Sequence, residues 1–188
     1  MEATKQATKS QTADSNVIRL AEENGVLAEI GRIISSSADM SEVYAQFGEV
    51  VSKLLPLDRI NITLAVRDGR YAETAYSWGI SFPGAKAGDR YPIEGTIVHQ
   101  VLQHQKPAVS VAPDVHDLAF HGNLTVVQQN AGIMSHVAVP LRTKNEIFGI
   151  LQIQSKHTDV YQDPHVRLLS NIASQISGAI SSARLYAQ

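Results

Sequence analysis

Gly132-Ile133-Met134-Ser135-His136-Val137-Ala138-Val139-Pro140-Leu141 and Ile147-Phe148-Gly149-Ile150-Leu151-Gln152-Ile153-Gln154 flank the polar span Arg142-Thr143-Lys144-Asn145-Glu146. Two apolar runs around turn-forming and charged residues read as a β-hairpin with a modest loop. In the second arm Ile147, Gly149, Leu151 and Ile153 alternate with Phe148, Ile150, Gln152 and Gln154. Apolar residues fall on both faces near its start, which is the pattern of a central strand covered on both sides. Pro140 has no N–H to give a ladder, so the first arm must place it at a bulge or a strand end. Such a hairpin leaves room for helices on one face of a sheet and a pocket on the other.

Outward from the hairpin, the period changes several times. Residues 1–15 are small and polar without periodicity, as in a disordered leader. From Asn16, Val17, Leu20, Leu27, Ile30 and Ile34 recur at helical spacing. Asp39 followed by Glu42 opens a second helix carrying Val43, Phe47, Val50, Val51, Leu54 and Leu55, which Pro56 and Asp58 close. The period then falls to two, with Ile60, Ile62, Leu64 and Val66 alternating with Asn61, Thr63, Ala65 and Arg67. Asp68-Gly69 is a hairpin turn, and Tyr71 to Trp78 returns as the partner strand. Residues 79–92 read as loop, and Gly95 to about Gln105 as a short helix with Ile97, Val98, Val101 and Leu102 inward. Pro107 to Val111 is a short strand, and 112–131 a polar connection with a helix near Leu124 to Asn130. Asp163-Pro164 then starts a last helix, Asp as cap and Pro in first position. Its seam of Leu169, Ile172, Ile176, Ala179, Ala183 and Tyr186 is sustained to the end of the sequence.

Composition excludes several classes of chemistry. The 188 residues are 44% hydrophobic, enough for a core, and the formal net charge of -2 gives no pull toward nucleic acid or anionic membrane. There is no cysteine, hence no disulfide, thiolate catalysis, iron–sulfur cluster, cysteine-ligated zinc or thioether-linked chromophore. No run of residues has the length and apolarity of a membrane span, and no signal core opens the sequence, so the expected location is cytoplasmic. No nucleophile elbow, phosphate-binding loop or HExxH motif is present, and no enzymatic activity is expected.

Taken together, residues from about 16 to 188 resemble a GAF domain. The resemblance rests on the helix pair, the strands Ile60–Val66 and Tyr71–Trp78, and Pro92-Ile93-Glu94-Gly95-Thr96 opening a short helix. Lys106-Pro107-Ala108-Val109 with Asp114 behind it, Ser135 to Leu141, Phe148 to Ile153 and an exit helix ending Ala183-Arg184-Leu185-Tyr186 complete it. It implies an α+β fold, PAS-related, with an antiparallel sheet of about six strands between a helical layer and a ligand pocket. It also implies a small-molecule-sensing, regulatory role in a dimer joined through terminal helices. The output domain would be that of a longer signalling protein such as a histidine kinase in a two-component system, a cyclase or a transcription activator. A PAS-like domain is the alternative fold. The acidic pair of cyclic-nucleotide-binding relatives is absent, since His165-Val166 stands in its place. Bilin attachment and methionine sulfoxide reduction in this family use cysteines that this sequence lacks.

Expected ligand contacts are Trp78, Ile93, Thr96, His99, His116, Ser135 and His136. Seven histidines (His99, His104, His116, His121, His136, His157 and His165) are the most suggestive polar feature. His116 and His121 share a loop with Asp114 and Asp117, but no metal-ligand spacing is met, and solvated loop histidines are the expectation. His136 shares a strand face with Met134 and Ala138, Ser135 the opposite one; each is a ligand contact or a core polar group bonded to backbone. Thr96 and His99 share one side of the short helix, bordering the pocket or solvent. Trp78 caps the cavity or fills the core, and Ile93 precedes the short helix. No cofactor is required. The rival functions are a ligand-free dimerisation or interaction module and a haem-based gas or redox sensor using a histidine ligand.

Overall fold

A computed structural model describes residues 21, 24–25, 27–33, 40–66, 69–81, 83–111, 130–144 and 146–186. The expected leader, the Asp39 cap, Asp68, the 112–129 connection with His116 and His121, and the side chains from 183 onward lie outside the described residues.

Two hairpins make the sheet. Arg59–Val66 (β1) and Tyr71–Gly79 (β2) pair antiparallel, as do Ser135–Arg142 (β5) and Ile147–Ser155 (β6). The alternating runs and turn residues of each pair are local signals, and both hairpins form where the pattern places them. A non-local pairing joins them, with Ile60 opposite Ile153, Ile62 opposite Leu151 and Leu64 opposite Gly149. Gly149 is required there, because a Cβ at this position would lie 2.3 Å from the Thr63 carbonyl oxygen. Arg90–Pro92 (β3) and Ala108–Val111 (β4) add the two edges, giving the antiparallel order β3-β2-β1-β6-β5-β4. Residues 79–92 thus contain a strand where a loop is expected. Three residues are too few to show a period, and β3 exists because it meets the free edge of β2. Pro92, lacking an N–H, is tolerated on that edge.

Pro140 has the setting its chemistry demands. The last residue of β5 paired with β4 is Ala138, so Pro140 has a strand neighbour on one side only, opposite Ile150. A register shift follows between Leu141 and Arg142.

Four described helical segments cover one sheet face or its opposite. Residues 27–33 are helical, and Met40–Ser52 (α1) and Asp163–Tyr186 (α3) pack with them beneath the sheet. Phe47, Val51, Leu169, Ile172, Ile176 and Ile180 meet Ile60, Ile62, Val137, Val139, Leu151 and Ile153 in one core. Each such side chain contributes roughly 1.5–3 kcal/mol by leaving water. The opposite face carries Ile97–His104 (α2), whose Val98 and Val101 pack on Ala72, Ala138, Ile150 and Ile93. At the start of α3 the residue whose carbonyl takes the first helical bond is Gln162, from Val166 N at 3.2 Å, one position before the expected Asp163. The Gln162 N–H is in turn accepted by His165 Nδ1 at 3.1 Å, as a capping-box side chain would do.

Candidate functional site

Strand alternation sends every second residue of the central strands to the α2 face, and an unusual share of these are polar. Register places Arg59, Gln154 and His136 in one row across β1, β6 and β5. The next row holds Asn61, Gln152 and Ala138. All of them are buried, Gln154 and Arg59 to 1% exposure and Asn61 to 5%. Small apolar groups border the rows: the α2 cluster on one side, and Ala85 with Ile133 on the other.

The polar groups are mutually held. Asn61 Nδ2 donates to Thr63 Oγ1 at 2.9 Å and to Gln152 Oε1 at 3.4 Å. Gln152 Nε2 and Gln154 Nε2 lie 3.3 and 3.1 Å from the same atom, His136 Nδ1. The Asn61 Oδ1 and Gln154 Oε1 oxygens are buried and accept no hydrogen bond. The Arg59 guanidinium donates to the main-chain carbonyls of Ile80 and Ala85, fixing the loop after β2 over the sheet. Loss of hydration lowers its pKa to about 10, opposed by the neighbouring Tyr91. Burial pushes the Tyr91 phenol up, while its hydrogen bond with Thr63 and the Arg59 charge pull the other way. Chemically this is a fixed array of amide, imidazole and guanidinium groups, suited to orienting a polar molecule and without an arranged nucleophile.

The residues singled out in the sequence scatter. His136 is in the polar array. Ile93 is buried in the α2 cluster beside it. Thr96 caps α2, its hydroxyl accepting from His99 N at 3.4 Å and donating to the Ile93 carbonyl at 2.6 Å, and His99 is half-buried on that helix. Trp78 lies opposite Ile60 and packs against the helical core, on the other side of the sheet from the array. Ser135 also takes no part in the array, donating instead to the His157 carbonyl at 2.7 Å. His116 lies outside the described residues. Among the described residues no group of acidic and histidine side chains could hold a metal ion.

Arg59, Asn61, Thr63, Tyr91, Gln152 and Gln154 are the residues that sequence reasoning missed. A signal existed at two of them. Gln152 and Gln154 stand in a strand whose pattern requires cover on both faces, and a buried primary amide needs partners.

Comparison with known proteins agrees with this architecture. The chain is 29% identical over 167 residues to the Nif-specific regulatory protein of Herbaspirillum seropedicae. That match takes in 84% of the chain but only 29% of the relative's length. The fold is similar to that of the GAF domain from an Acinetobacter phosphoenolpyruvate-protein phosphotransferase, with a TM-score of 0.71 at 18% identity, covering 88% of this chain and 96% of that one. It is also similar to the free methionine-R-sulfoxide reductase of Neisseria meningitidis, with a TM-score of 0.69 at 17% identity over 87% and 91% of the two chains. The family model for the GAF domain matches residues 39–180, from the start of α1 to the last buried turn of α3, and the chain belongs to that family.

Proposed function

We propose that this GAF domain is a small-molecule sensor that regulates an output domain of a longer signalling protein through paired terminal helices. The observation that carries the reading is the buried polar array of Arg59, Asn61, Gln152, Gln154 and His136, with two amide oxygens left without donors. A domain needing only a core would gain by filling this face with apolar side chains, as it does on the other face. A regulatory role is consistent with the Nif-specific regulatory relative, of which this chain spans less than a third. In this reading the signal passes from the sheet to the exit helix. α3 packs on β5, whose other face carries His136, so a ligand at the array presses on the strand that the exit helix rests against. Binding becomes signal only where the ligand prefers one of two helix arrangements.

No described helix is long and apolar enough to cross a membrane, and a cytoplasmic setting is part of the proposal. The test is native mass spectrometry and an absorbance spectrum on freshly purified protein, followed by thermal melts with candidate metabolites. A bound organic molecule, lost on replacing Gln154 and Asn61 with alanine, supports sensing. A Soret band would instead establish the haem alternative, and a protein that retains and binds nothing would leave a dimerisation module.

A further inference from the structure

Where β4 stops, α3 takes over the edge of β5. The pairing with β4 ends at Ala138, and further along the strand the Arg142 N–H donates to Ser177 Oγ of α3 at 3.1 Å. At this junction lies a cavity of about 200 Å³, lined by Pro107, Pro140, Arg142, Ser170, Ser174 and Ser177. The serines follow one another at steps of four and three, which sets them on one side of the helix. No lining residue is acidic, one carries a permanent positive charge, and none belongs to the polar array. The Ser170 and Ser177 hydroxyls donate back to the Val166 and Ala173 carbonyls at 2.7 and 2.6 Å, so their protons are used within the helix. Donors for a guest come from the other two polar residues. Arg142 gives Nη2 to the Gln105 carbonyl, a tether that holds the guanidinium at the cavity and leaves its remaining N–H groups for a guest. Ser174 is exposed on the helix between the other two serines and has a hydroxyl to donate.

From this we infer that the cleft between β5 and α3 is a binding site for a small organic oxyanion, a carboxylate or a phosphate ester. Its oxygens pair with the Arg142 guanidinium and the Ser174 hydroxyl, and its carbon part lies against the rings of Pro107 and Pro140. A guanidinium fork matches the geometry of either oxyanion, and a charge-assisted bond is about twice as strong as a neutral one. A cationic guest would face Arg142 with no lining carboxylate to offset the repulsion. A neutral polyol would forgo the charge-assisted bond. The cavity is smaller than the roughly 300–1,000 Å³ that holds a drug-sized ligand, so the guest is smaller too. The site stands apart from the array and does not depend on it. A guest there touches the end of β5 and the middle of α3 together, and so ties the exit helix to the sheet.

The test uses the 188-residue chain, nitrogen-15 labelled and titrated with glycerol 3-phosphate, malate and uncharged glycerol. Sodium chloride at matched ionic strength controls for screening. Amide resonances of Arg142, Ser174 and Ser177, with the Arg142 Nε–H, report on the cleft, and side-chain amides of Asn61, Gln152 and Gln154 report on the array. At least one anion is expected to move the cleft resonances saturably, about tenfold or more tighter than glycerol, which corresponds to roughly 1.4 kcal/mol. The tighter of the two anions names the class as phosphate ester or carboxylate. Arg142→Gln removes the charge, and Ser174→Gln fills the cleft from the helix side. Both positions are exposed, so each variant should keep its far-ultraviolet circular dichroism spectrum and lose about tenfold or more in affinity. Chloride that reproduces the shifts overturns the site, as do shifts that survive both substitutions or cleft resonances unmoved by either anion. Shifts confined to the array overturn this inference and support the sensing reading instead.

Discussion

Arg59 shows how one side chain of the array can also hold a loop over it. Two of its guanidinium nitrogens reach the carbonyls of Ile80 and Ala85. Lysine carries the same charge but presents a single ammonium that cannot span both carbonyls. Arg59→Lys is expected to cost about 1–3 kcal/mol in urea unfolding and to speed amide exchange in residues 80–89 before the rest of the sheet. The aromatic residues of the other face set the response to alkali. Tyr44 and Tyr76 stack with ring centroids 4.9 Å apart, and burial raises the pKa of each from 10.0 to about 12. A phenol whose pKa is higher folded than unfolded contributes stability in full below the unfolded value. That stability is lost as pH climbs from about 10 to about 12, because the unfolded chain releases protons that the fold retains. Arg59, lowered to about 10, acts in the opposite sense over the same range, but it is one group against the raised phenols of Tyr44, Tyr76, Tyr91 and Tyr161. Urea midpoints on either side of about pH 10 should fall steeply, and absorbance at the phenolate band should show tyrosines titrating late until the protein unfolds.

Among the elements, α1 and β2 meet more closely than helix and sheet usually do. Gly48 makes this possible: its N–H donates to Tyr76 Oη at 3.0 Å, and a Cβ on it would stand 2.5 Å from Trp78 Cγ. In an exposed helix Gly→Ala gains up to about 1 kcal/mol. Here the added methyl meets the root of a tryptophan side chain, which cannot swing away without moving its strand. Gly48→Ala is therefore expected to destabilise by about 1–3 kcal/mol, with the Trp78 fluorescence shifted. Gly149→Ala should be worse, because the obstacle is main chain, the Thr63 carbonyl, at the joint between the two hairpins. Calorimetry ranking the two variants in the reverse order would contradict this account of the sheet.

At the scale of the molecule, the exit helix serves the domain first. Leu169, Ile172, Ile176 and Ile180 are all spent on the core beneath the sheet, and Ala179 is half-buried. Twenty-four residues at 1.5 Å each make a helix of about 36 Å, longer than the sheet it covers needs. Its final turn with Ala183 is the segment expected to pair with a second chain. Changing both Ala179 and Ala183 to glutamate should convert a dimer to monomer in sedimentation while leaving the far-ultraviolet spectrum intact. An unmodified chain that sediments as a monomer at high micromolar concentration would reject the paired-helix route of signalling.

Alternation and turn chemistry were enough, from sequence alone, to place both hairpins, a short helix inside the span Gly95 to Gln105, and the start of the exit helix to within a residue. These signals are local, each read within a dozen positions, and the order of the pieces pointed to the family. What only the tertiary structure decided was which face of each strand matters. Trp78 and Ser135 occupy polar or terminal positions as suggestive as any in the sequence, yet neither joins the array, and Trp78 packs in the helical core. Asn61 and Gln152 are 91 positions apart and meet only because β1 pairs with β6. A period of two tells that a strand has two faces. It does not tell that both are buried, because the cover over the second face comes from α2 and the loop held by Arg59, segments remote in sequence from the strands they close over.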